Sequence, residues 1–174
     1  MGYTHYWGIA VESRAWQSAW LALQLDAAAI VAAVNRDGTV VVGPDRSGDP
    51  VFEDAQIAFN GIGEDGHEPL YLLREPPSVA AGWPLSAVTE YRERGYWFSF
   101  CKTNWKPYDL AVTAVLIRAT QLAPDAIVVE SDGSWNDDWM EARHLIHKLF
   151  GASPATLFAS TDQGPPAAHR HRPS

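Results

Sequence analysis

The sequence predicts an α+β fold in a single domain, with a mixed or largely antiparallel sheet and three helices in the order β-α-β-β-β-β-α-β-α. Three observations lead there. Four strand-like segments follow one another between the first two helices, with no helix between them to carry the chain from one parallel strand to the next. Apolar residues recur at helical spacing in three segments. The length of 174 residues, 47% hydrophobic and 20% charged, suits one sizeable core.

The elements follow in order. Tyr3 to Ile9 is rich in β-formers and reads as a strand. Ser13 caps a helix running to about Val34, in which Trp16, Trp20, Leu23, Ala27, Ile30 and Val31 form one apolar face. Asn35-Arg-Asp-Gly38 ends it, and Thr39 to Val42 is a short strand. Gly43 to Pro50 is a loop by its turn chemistry. Gln56–Asn60 and Leu70–Arg74 form a hairpin whose enlarged tip is Gly61 to Pro69. Pro76 to about Arg92 holds three prolines and reads as an irregular crossing with one helical turn.

Tyr96 to Cys101 is the next strand. Pro107 then opens a helix to about Leu122, apolar on several sides and therefore central. Ala126 to Glu130 is a strand, Ser131-Asp-Gly133 a turn, and Asp137 to Phe150 a helix preceded by a Ser134/Asp137 capping pair. Residues 1–150 make the domain. The Ala-, Pro-, Gly- and Ser-rich stretch 151–174 reads as a disordered tail.

A net charge of -8 argues against broad binding of nucleic acid or anionic membranes, because a phosphate backbone is held mainly by Lys and Arg. The single cysteine forms no internal disulfide, and the N-terminus lacks a basic region followed by an apolar run, so a cytoplasmic location is expected. No run of about 18 uninterrupted apolar residues appears, so no membrane span is expected. Oligomeric state stays open.

The segment from Trp97 to Asp109 gathers the chemistry. It brings the only cysteine, two lysines, a threonine, an asparagine and an acid to one strand-to-helix junction. Lys102, Thr103 and Asn104 can hold an anionic or carbonyl-rich ligand at the positive end of a helix, with Tyr3, His5, Tyr108 and Asp132 completing the set. A small polar or anionic ligand, nucleotide-derived ones included, is the first expectation. The alternative is a thiol-dependent hydrolase or transferase, with Cys101 as nucleophile, His5 or His67 as base and Asp109 or Asp132 orienting it. A third is a protein-interaction module whose polar groups pair only with one another.

Two other patterns carry less. Gly61-Ile-Gly-Glu-Asp-Gly66 spells the three glycines of a dinucleotide loop, but a strand and not a helix follows, and Glu64 and Asp65 would repel a phosphate. His67-Glu68 with His5, or Glu141 with His144, lacks a paired metal-ligand spacing, so neither metal nor cofactor is assigned.

Taken together, Gly2-Tyr-Thr-His-Tyr-Trp7, Asn60-Gly61 with Gly66-His-Glu68, Phe100-Cys-Lys-Thr103, Pro107-Tyr-Asp109 and Ser131-Asp-Gly133 with Trp139 resemble a family of small uncharacterised bacteriophage and bacterial proteins. The likeness spans roughly residues 2 to 150 and departs from the family's shorter pattern in the tail and the Pro76–Arg92 crossing. The family carries no established activity. The resemblance implies which positions matter: Tyr3, His5, His67, Glu68, Cys101, Lys102, Thr103, Tyr108 and Asp109. By association it also implies a host-defence or nucleotide-signal role.

Overall fold

A computed structural model describes residues 2–151 and 156–157. The elements are β1 (Thr4–Ile9), α1 (Arg14–Arg36), β2 (Val41–Val42), β3 (Val51–Phe52), β4 (Gln56–Gly61), β5 (Leu70–Leu73), α2 (Leu85–Arg94), β6 (Trp97–Lys102), α3 (Asp109–Leu122), β7 (Ile127–Ser131) and α4 (Met140–Phe150). The chain is α+β with four α-helices and two antiparallel sheets. One sheet has the order β6-β1-β7; in the other, β4 pairs with β2, β3 and β5.

The expected order needs two insertions. The crossing after Pro76 contains a ten-residue helix, α2, where one helical turn is expected. It buries only Val88 and Tyr91, so its periodicity is faint, and it is held by Gly95 in the left-handed region and a Tyr91 hydroxyl bond to Glu12 (2.6 Å). The second insertion, β3, is two residues long and exists only because β4 pairs with it. The tail expected at 151–174 lies outside the described residues except for Gly151, which caps α4, and residues 156–157.

α1 forms where its cap and periodicity predict. Ser13 Oγ accepts the Trp16 N–H at 3.1 Å, and the six predicted apolar positions are all buried. Each fully buried tryptophan removes about 150–250 Å² from water, about 4–6 kcal/mol of transfer free energy. α1 has the length, and over an 18-residue window the mean hydropathy (1.4), of a membrane-crossing helix, but polar residues interrupt it and its apolar face packs on α3 and on the β2–β4 sheet. α3 is the central helix. Ala111 to Ile117 are all buried because α1, α4 and β7 surround it.

α3 starts at Asp109, two residues later than Pro107, because the turn from Thr103 to Tyr108 is closed by its own bonds. α4 likewise starts at Met140, and the Ser134/Asp137 pair closes the turn before it. Both shifts affect the site. They leave loops at the ends of β6 and β7, on either side of the N-terminal end of β1.

Candidate functional site

Strand register builds the site. β1 lies between β6 and β7, and His5 stands opposite Cys101 on one side and Ser131 on the other. Directly paired residues share a face, so these three side chains point together toward the helices. Asp109, in the first turn of α3, meets them there.

The result is a chain of hydrogen bonds through a fully buried histidine. Ser131 Oγ accepts the N–H of Gly133 (2.9 Å) and of Trp139 Nε1 (3.2 Å), which occupies both lone pairs. Its O–H therefore donates to His5 Nδ1 at 2.8 Å. That assigns the His5 proton to Nε2, which donates to Asp109 Oδ1 at 2.7 Å. Thr103 Oγ1 donates to the same carboxylate oxygen.

A hydroxyl, an imidazole and a carboxylate in this order form a nucleophilic relay when the serine is free to react. Here the serine uses Nδ1 and the acid Nε2, and two N–H donors hold the hydroxyl oxygen. The chain locks β1, β7 and α3 together.

A second set of bonds surrounds Glu68. Its backbone carbonyl accepts the Cys101 thiol (3.1 Å) and the Tyr108 hydroxyl (2.5 Å), and its carboxylate accepts the Lys102 N–H (2.9 Å). His67 Nδ1 donates to the Lys102 carbonyl at 2.7 Å. The glycine-rich hairpin tip thus ties the second sheet to β6.

Asn60 aims the tip. Its carboxamide donates to the Pro44 and His67 carbonyls and accepts the Gly61 and His67 N–H groups, so a buried side chain is fully bonded. The glycines serve close packing. A Cβ on Gly61 would lie 2.2 Å from the Asp65 carbonyl oxygen, and one on Gly66 would lie 2.4 Å from that of Gly61.

Cys101 is fully buried, and burial raises its thiol pKa well above the ordinary range. The nearby Tyr108 hydroxyl lowers it in part, while Asp109 and Glu68 raise it. A thiol so placed packs as a small apolar group. His67 reaches a backbone carbonyl, and His5 is engaged at both nitrogens.

Tyr3 is buried too. Its ring stacks on Trp105 at 3.6 Å and meets His5 edge-on at 4.9 Å. Its hydroxyl packs against Gly133 and stands near Ser131 without hydrogen-bond geometry, leaving it unpartnered among the described residues. Burial, with the Asp109, Asp138 and Asp132 carboxylates, raises its pKa.

The Trp105 stack costs backbone strain. Asn104 and Trp105 are consecutive left-handed residues (φ 52° and 62°), a conformation Asn tolerates and a bulky residue rarely adopts. The Asn104 N–H donates to the Tyr3 carbonyl, which fixes the turn.

The structure therefore brings most of the expected residues together. His5, Thr103 and Asp109 share one network; Cys101, Lys102, Tyr108 and His67 surround Glu68. Asp132 is exposed, and its carboxylate accepts the Thr4 N–H at 3.0 Å, prolonging the β1–β7 pairing. The residues that sequence reasoning missed are Ser131 and Asn60. Their signal is a polar side chain at a strand end, buried for Asn60 and half-buried for Ser131, that becomes visible only once the register is known. Among the described residues no group of three or more His, Cys, Asp or Glu could hold a metal ion.

This fold and site define an α+β domain with an internal His-centred polar lock. No protein-family model, curated protein or solved structure matches the chain.

Proposed function

We propose that the domain binds a small polar or anionic ligand, nucleotide-derived ones included, at the mouth of the β6–α3 junction, and holds it without transforming it. One observation carries this reading. The Lys102 and Lys106 ammonium groups and the Asn104 carboxamide form no hydrogen bond or ion pair among the described residues, while the neighbouring Thr103, Asp109, His5 and Tyr108 side chains are all engaged internally. A rigid scaffold with free donors at its rim is preorganised for a ligand.

Two further features support it. Two unpaired lysines in a chain of net charge -8 supply the local positive field that an anion needs. Trp105, 63% exposed, has one ring face on Tyr3 and the other available to a flat ring.

The buried Cys101 thiol gives no support to the thiol-dependent alternative. A plain interaction module accounts for the self-paired network but not for the free donors. The phage and bacterial family and a cytoplasmic setting belong to the same proposal.

Thermal-shift screening of nucleotides and anionic metabolites tests it. A ligand should raise the melting temperature, and Lys102→Ala should abolish that shift with its ligand-free melting temperature unchanged. If no compound shifts the wild-type protein, the reading fails.

A further inference from the structure

The face of the β6-β1-β7 sheet turned away from the helices is not covered by any described element. Alternation places Tyr6, Gly8, Phe98, Phe100, Val128 and Glu130 on it, and Phe98, Phe100 and Val128 are 44%, 51% and 70% exposed. The rings are arranged. Tyr6 stacks with Phe98 (6.5 Å) and lies 6.4 Å from Phe100.

A groove of about 460 Å³ runs along this face. Gly8 forms its floor between strands, with Tyr6, Tyr96, Phe98 and Val128 as walls, and its volume falls within the range of small-molecule sites. Two carboxylates line it as well, Asp125 and Glu130. Both are exposed, and neither has a cation partner among the described residues. Aromatic faces and unpaired carboxylates attract the same kind of guest, a positive charge carried on an apolar body.

We propose that this groove is a binding site for a small organic cation, an alkylated ammonium whose charge meets Glu130 and Asp125 and whose apolar groups lie on Tyr6, Tyr96 and Phe98. The site is distinct from the Lys102 rim and opposite to it in charge preference. Neutral rings would gain the stacking and lose the charge contact; anions would be repelled. Glycine at position 8 keeps the floor low, since a Cβ there would stand 3.0 Å from the Tyr96 ring.

Choline and its neutral carbon analogue 3,3-dimethylbutan-1-ol are the probes, followed by amide chemical shifts of the full chain. Choline should shift the Gly8, Phe98 and Val128 amides and bind about three- to tenfold more tightly than the alcohol. Glu130→Gln with Asp125→Asn, both at exposed positions, should remove that preference and leave the spectrum otherwise intact. Equal binding of the two probes, or a choline preference that survives the double substitution, overturns the proposal. So does the absence of any shift where a millimolar site would saturate, or sedimentation showing a dimer that protects the Phe98 and Phe100 amides.

Discussion

Removing the Asp109 carboxylate tests the polar lock. In Asp109→Ala the His5 Nε2–H and the Thr103 hydroxyl both lose their acceptor, and both residues are fully buried. An unsatisfied buried donor costs about 1–3 kcal/mol, and a lost first-turn acid about 0.3–1 kcal/mol. Together these give a destabilisation of about 4 kcal/mol, a fall in Tm of about 8–16 °C for a chain of this size. Asp109→Asn keeps an oxygen that can accept both bonds and loses only their charge assistance, about 2 kcal/mol.

Urea unfolding followed by tryptophan fluorescence measures both variants. A second substitution sharpens the test: Thr103→Val in the Asp109→Ala background removes one orphaned hydroxyl and should recover part of the loss. If Asn costs as much as Ala, the charge and not the acceptor count matters. If both cost under about 1 kcal/mol, the lock contributes little and the reasoning is refuted.

Three other outcomes follow from the same geometry. Burial raises the pKa of the Cys101 thiol and of the Tyr3, Tyr91 and Tyr108 phenols, so each folded pKa lies above its unfolded value. Their contribution is complete below the unfolded values of about 8.5 and 10 and is lost as pH rises beyond them, so stability should fall above about pH 9, less steeply in Cys101→Ala. Iodoacetamide at neutral pH should leave native Cys101 unmodified, and rapid alkylation would show the thiol to be accessible. Asn60→Ala should orphan the Gly61 and His67 N–H groups and cost about 3 kcal/mol. Hydrogen exchange at those two amides should accelerate markedly, and unchanged protection would rule out the aiming role given to Asn60.

The elements with strong local signals were legible in the sequence. α1 has a serine cap and six apolar residues in phase, and α3 is apolar all round because it is central. α2 was not legible beyond one turn, since only two of its ten residues reach the core. β3 was not legible because its only reason to be extended is a partner strand. The site divides in the same way. The junction from Lys102 to Asp109 stood out by composition, whereas Ser131 looked like part of a turn until β7 was paired with β1.

By itself, then, the sequence determined the α+β class, the main helices and the segment where polar chemistry collects, because capping, periodicity and turn preference act over a few residues. Only the tertiary structure decided that His5 lies between Cys101 and Ser131, that Asp109 closes the chain of bonds, and that the thiol is sealed while the Lys102 and Lys106 ammonium groups form no bond among the described residues. Those are properties of register and packing. They depend on residues more than a hundred positions apart in the chain, as His5 and Ser131 are, and no local pattern encodes which of them will meet.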